Sequence, residues 1–227
     1  MELFFRDKKV FITGGSRGIG KKICELFLEN GAEVYSPSRK ELDLSDRGSI
    51  REYLTEHSDI SPNIFIHCAG LNKLAGIDEL SESVLDEVFQ VNYFSATELL
   101  KAFVPRMKEE KKGKILFISS LYSIVSKERR IAYSSSKNAL TGLAKTLAIE
   151  LAPYNVLVNL VAPGYVMTDM TRKNLSDGEI DEIKRMIPTG RFQTEEDIAN
   201  AVAFLCSDLN QSITGQLVAV DGGLLCK

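Results

Sequence analysis

The chain has 227 residues, 44% of them hydrophobic, and a formal net charge of −3. That is enough apolar material for one domain with a real core, and the charge balance gives no case for nucleic acid or an anionic membrane as a partner. No apolar run approaches the ~20 residues that span a bilayer, the apolar stretch within residues 1–9 is too short for a signal peptide, and Cys24, Cys68, Cys206 and Cys226 form no C-x-x-C pair, so a reduced, cytoplasmic protein is expected.

In chain order, residues 10–13 read as a strand and 19–30 as a helix stopped by Gly31, with Ile23, Leu26 and Phe27 on one side. Residues 33–36 are a second strand, 49–56 a helix and 63–68 a third strand. His67 ends that apolar run and reads as a packed or hydrogen-bonded residue; with His57 as the one other histidine, no metal site is expected. A long helix is expected over 83–107, with Pro105 near its end, then a strand over 115–119 and a helix over 132–151. Residues 156–161 and 216–220 are strands, and 194–206 a helix whose Thr194 and Asp197 resemble an N-terminal capping pair. Unbroken apolar strands alternating with amphipathic helices imply a parallel sheet covered on both faces. With no linker, repeat or low-complexity segment, residues 1–227 read as a single α/β domain, a doubly wound parallel sheet of the Rossmann type.

One region departs from that alternation. Only a few residues, among them Ser38-Arg39-Lys40-Glu41, separate the second strand from Leu42-Asp43-Leu44, whereas adjacent parallel strands need a crossover of about a dozen residues or more. Leu42-Asp43-Leu44 is therefore not an ordinary parallel strand, no helix is expected between residues 37 and 43, and the crossover helix after the second strand reads as missing.

Two constellations carry chemistry. Gly14-Gly15-Ser16-Arg17-Gly18-Ile19-Gly20 follows the first strand directly and opens the first helix. A turn that brings backbone against a pyrophosphate excludes Cβ atoms at its tightest points, and the helix start offers free N–H groups and a positive dipole end. In that strand–turn–helix context the glycines read as a dinucleotide cradle. An acid at the end of the second strand would bind a ribose 2′-hydroxyl, and an Arg a 2′-phosphate. The chain has Arg39 there, with Arg17 nearby, which favours NADP(H); Asp43 is a candidate for the adenine amino group.

The second constellation is Tyr133 and Lys137, four apart on one helix face, with Ser120 upstream. A phenol is a poor acid–base group near neutral pH unless neighbouring positive charge lowers its pKa. Ser120 could donate to a substrate oxygen where charge develops.

These features, together with Cys68-Ala69-Gly70, Asn92, Ser119-Ser120, Pro163-Gly164 and Asp221-Gly222-Gly223 in the same order, resemble the short-chain dehydrogenase/reductase family over nearly the whole chain. Val161-Ala162-Pro163-Gly164-Tyr165-Val166-Met167-Thr168-Asp169-Met170 is most similar to its 3-oxoacyl-(acyl-carrier-protein) reductases. The resemblance implies that Tyr133 is the general acid/base, that Lys137 holds the nicotinamide ribose and lowers the Tyr133 pKa, that Ser120 orients the carbonyl and that Asn92 holds a water in a proton relay behind Lys137. It places Gly14 to Gly20, Arg39, Asp43, Leu44, Cys68, Ala69, Gly70, Pro163, Gly164, Val166 and Thr168, with Tyr133 and Lys137, in the cofactor site. It also implies a homo-oligomer, with a tetramer favoured, packed through the helices at 83–107 and 132–151 and near the C-terminal strand.

The sequence departs from the family in three places. Cys68 stands where members usually have Asn, the crossover helix is missing, and Lys127-Glu128-Arg129-Arg130 precedes Tyr133 where many relatives are small and neutral. That charge run reads either as a solvated face or as a rim attracting an anionic substrate. The expected activity is NADP(H)-dependent reduction of a ketone to a secondary alcohol, on an anionic or carrier-linked substrate such as a 3-oxoacyl thioester. A nucleotide-linked keto-sugar reductase and a non-catalytic dinucleotide-sensing protein are the alternatives. Residues 171–191 are expected to close over the substrate.

Overall fold

The apolar runs assemble into one six-stranded sheet, seen in a computed structural model that describes residues 5–168, 171–172 and 176–227. In chain order the elements are β1 (Lys9–Thr13), α1 (Gly18–Glu29), β2 (Glu33–Tyr35), α2 (Arg47–Glu56), β3 (Ile64–His67), α3 (Glu82–Phe89), α4 (Ser95–Glu110), β4 (Gly113–Ile118), α5 (Ile131–Leu151), β5 (Val156–Pro163), α6 (Asp177–Met186), α7 (Glu195–Cys206) and β6 (Leu217–Val220). The sheet order is β2-β1-β3-β4-β5-β6, every pair parallel. The strand order reverses between β1 and β3, the place where doubly wound sheets open a crevice at the carboxyl ends of their strands.

The period of two along each strand builds two cores. Phe11, Phe65, Ile115 and Phe117 point to one face and pack with Leu99 and Phe103 of α4 and Leu140 and Ala144 of α5. Val10, Ile12, Ile64, Ile66 and Val161 point to the other, against Ile23 and Phe27 of α1 and Ile198 and Val202 of α7. All eight residues of β5 are buried, which is why its sequence shows no alternation.

Residues 36–46 contain neither helix nor strand. Leu42 and Leu44 are buried there as loop anchors in the core that holds Phe11 and Tyr53. The sheet therefore ends at β2 on this side, whereas the usual 3-2-1-4-5-6 order has a further strand outside the second. No helix lies between residues 37 and 43, as the sequence reading expected; the chain passes over β1 to β3 through α2, the helix expected over 49–56. What is absent is a helix–strand unit outside β2.

The expected helix over 83–107 is two helices joined by a π-helical turn, Gln90–Phe94. The turn has a tertiary cause. Asn92, fully buried, donates to the Leu71 carbonyl at 3.0 Å and the Ser136 hydroxyl at 2.9 Å, and accepts from the Leu71 N–H at 2.7 Å. Thr194 and Asp197 form the expected capping box on α7, and Ser176 with Glu179 forms another on α6. Of the segment expected to close over substrate, residues 173–175 lie outside the described residues. Among the described residues no helix is long and apolar enough to cross a membrane.

Candidate active site

Sterics shape the glycine turn. Gly14 has φ +74, and a Cβ there would sit 2.7 Å from the Ala69 backbone, while a Cβ on Gly20 would strike the Gly14 carbonyl. Only glycine lets β1 hand over to α1 this tightly against the chain leaving β3. Arg17 precedes α1 with extended backbone and no side-chain cap, and the first turn carries no acid. The N–H groups and the positive end of α1 therefore suit an anion. Thr13 ties the two strand ends together: its hydroxyl accepts from the Ala69 N–H at 3.2 Å and bonds His67 Nδ1 at 2.9 Å.

A cleft of about 980 Å³ opens at these strand ends. Nearly every residue singled out from sequence lines it: Gly14, Ser16, Arg17, Gly18, Ile19 and Gly20 of the turn; Arg39, Asp43 and Leu44 after β2; Cys68, Ala69 and Gly70 after β3; Ser120, Tyr133 and Lys137; and Pro163, Gly164, Val166 and Thr168 at and beyond the end of β5. Gly15 and Asn92 stand one layer back. Gly15 faces Ser36 and Cys24, and Asn92 holds residues 71 and 136 together.

Tyr133 and Lys137 share one face of α5. Lys137 is 2% exposed and donates from Nζ to the Ile118 carbonyl at 2.7 Å, with the Tyr133 ring centroid 5.9 Å away. Burial pulls the Lys137 ammonium down to about 8, opposed by nearby Cys68. Burial also raises the Tyr133 phenol, while the Ser120 hydroxyl and the Arg130 charge draw it back down. The downward pull on the phenol thus comes from Ser120 and Arg130, whereas the ammonium of Lys137 is engaged by a strand-end carbonyl. Burial pushes the Cys68 thiol up to about 12.

At the other end, Arg39 is 78% exposed and its Nε lies 3.3 Å from Asp43. The second Asp43 oxygen accepts from the Ser45 N–H and hydroxyl at 2.9 and 2.6 Å. These bonds give residues 36–46 a fixed shape without a helix.

The charge run before Tyr133 divides. Lys127 and Glu128 are exposed and do not line the cleft. Arg129 forks onto Glu79 at 3.0 and 2.6 Å. Arg130 alone turns inward, half-buried, its guanidinium 4.6 Å from the Tyr122 ring centroid. The Tyr122 hydroxyl lies 3.4 Å from that of Tyr165. Burial and this contact push the Tyr122 phenol to about 12, so it stays a neutral hydrogen-bond donor. No role for Tyr122 or Tyr165 was legible in the sequence, because their meeting depends on β4 and β5 lying side by side in the sheet. Among the described residues no group of three His, Cys, Asp or Glu side chains could hold a metal ion.

A glycine turn at the switch point of a doubly wound sheet, opening into a cleft with a buried Tyr–Lys pair, defines a dinucleotide-dependent oxidoreductase. Residues 36–225 match the family described as Enoyl-(Acyl carrier protein) reductase. The NAD-dependent glycerol dehydrogenase of Listeria innocua is 30% identical over 241 residues, covering 97% of this chain and 95% of that protein. The 3-oxoacyl-(acyl-carrier-protein) reductase FabG of Escherichia coli K12 is 32% identical over 242 residues, covering 97% and 98%. A Beutenbergia cavernae structure, provisionally named an NAD(P) dependent gluconate 5-dehydrogenase and holding NADP at low occupancy, superposes with a TM-score of 0.93 at 30% identity over the whole of both chains. ElxO with NADP bound gives 0.86 at 27% identity, covering 97% of this chain and 99% of that one. The chain belongs to the short-chain dehydrogenase/reductase family, whose members are oxidoreductases acting between CH–OH and C=O groups.

Proposed function

We propose that this protein reduces a ketone to a secondary alcohol with NADP(H), on an anionic or carrier-linked substrate such as a 3-oxoacyl thioester. The observation that carries the reading is that Ser120, Tyr133 and Lys137 meet in the cleft that the glycine turn opens. The turn fits a dinucleotide: the space a Cβ would need at Gly14 and Gly20 is already taken by backbone, so only a bare glycine backbone lets α1 present its N–H groups to a pyrophosphate. A nicotinamide cofactor, when bound, supplies the hydride.

The chain's own groups do the rest. Ser120 donates to the substrate carbonyl oxygen, and Tyr133 gives that oxygen its proton. Lys137, anchored on Ile118, presents its remaining donors toward the ribose and the phenol. Asn92 acts as a positioning residue; its amide nitrogen is committed to Leu71 and Ser136, and its oxygen keeps a lone pair for a relay water. Val166 and Thr168 flank the carboxamide side. Arg39 and Arg17 take the 2′-phosphate, and Asp43 and Leu44 flank the adenine. A cytoplasmic homotetramer is part of this reading, supported by an Ile149 on α5 that is 78% exposed.

The test is NADPH and NADH oxidation in parallel with acetoacetyl-coenzyme A. Turnover should favour NADPH, and Arg39→Ala should lose about tenfold in kcat/KM for NADPH, the size of one charge-assisted bond, with a smaller change for NADH. Equal use of both cofactors by the unaltered protein would remove the NADP(H) assignment.

A further inference from the structure

Arg129 and Arg130 have opposite surroundings although they are neighbours. Arg129 has left-handed backbone, φ +63, a conformation costly for a non-glycine residue. It is held there by the fork to Glu79 and by its carbonyl, which accepts the Ala75 N–H at 3.0 Å. That clamp turns the next residue, Arg130, into the cleft. Its Nε is buried and has no partner among the described residues, and no acidic side chain among them pairs with it. A buried guanidinium N–H left without an acceptor is unfavourable, so such a group marks a place where an acceptor belongs. The other cations lining the cleft serve elsewhere: Arg17 and Arg39 at the dinucleotide end, Lys137 on the Ile118 carbonyl.

We propose that Arg130, stacked on Tyr122 and backed by Tyr165, binds a carboxylate of the substrate, so that the physiological substrate is a compact keto acid and Arg130 determines specificity. This rests on the ketone-reduction reading and takes its anionic arm, with a free carboxylate in place of the thioester. Arg130 is the residue just before α5, three before Tyr133; both line the cleft, and the Arg130 charge is near enough to draw the Tyr133 phenol down. A carboxylate held by Arg130 therefore lies only a few bonds from a carbonyl held by Ser120 and Tyr133. A planar guanidinium with five donors suits a single carboxylate, and the Tyr122 and Tyr165 hydroxyls beside it can donate as well.

The experiment is calorimetric titration of pyruvate, acetoacetate and levulinate, each against its methyl ester, into the protein with NADP+ and into the cofactor-free protein. At least one acid should bind about tenfold more tightly than its ester, the worth of one good charge-assisted contact. Arg130→Met should abolish that preference, and Arg130→Lys should restore part of it. Esters binding as tightly as acids, a preference that survives Arg130→Met, or no acid binding at millimolar concentration would each overturn the proposal. Loss of NADP+ binding would instead strike the cofactor reading, while the acid-to-ester ratio of the cofactor-free protein still decides the role of Arg130.

Discussion

His67 and Lys137 are two titratable side chains buried almost side by side, and each is pushed toward its neutral form. Burial and the nearby Lys137 charge take His67 down to about 3 from its usual 6.5. Its Nδ1 bonds the Thr13 hydroxyl, while Nε2 has no partner among the described residues. Because the folded pKa lies below the unfolded one, the folded state binds fewer protons between pH 6.5 and 3. Stability is therefore fully present above about pH 6.5 and is lost as pH falls through that window, by up to about 1.4 kcal/mol per unit. Denaturant unfolding at pH 7 and pH 5 should show a loss about 2 kcal/mol larger in the unaltered protein than in His67→Gln. Equal losses would mean that His67 is not buried neutral. At this scale the glycines and the Ser–Tyr–Lys set were legible in the sequence, because steric exclusion and helical spacing leave a pattern. The partition of the run 127–130 was not, because a clamp to Glu79, fifty residues away, decides which arginine faces in.

The elements read well where their cause is local. The strands and the capping of α7 follow from apolar runs and from Thr194 with Asp197. The loop 36–46 was legible as an absence, since too few residues were available for a helix and a strand. The π turn was not legible, because an i→i+5 ladder has no residue signature and here depends on what Asn92 reaches across the fold. Asn92→Ala should leave the Leu71 N–H and the Ser136 hydroxyl short of partners and cost about 1–3 kcal/mol in denaturant unfolding. A change well under that would show that the turn persists without its amide.

At the scale of the whole molecule, six separate stretches of chain converge on one cleft because a parallel sheet brings all its carboxyl ends to one edge and its order reverses between β1 and β3. The glycine turn, the loop after β2, the ends of β3, β4 and β5 and the face of α5 each bring one part of the chemistry. The family relationship covers the architecture and the class of reaction. The Tyr122–Tyr165–Arg130 corner lies in that cleft beside the start of α5. In the proposed reaction Tyr133 gives the proton to the carbonyl oxygen. The measurement is steady-state ketone reduction with NADPH by Tyr133→Phe, with NADPH fluorescence titration to establish that the variant still takes up cofactor. That role requires a fall in kcat of about 10²–10⁴-fold; turnover within about threefold of the unaltered protein would contradict it.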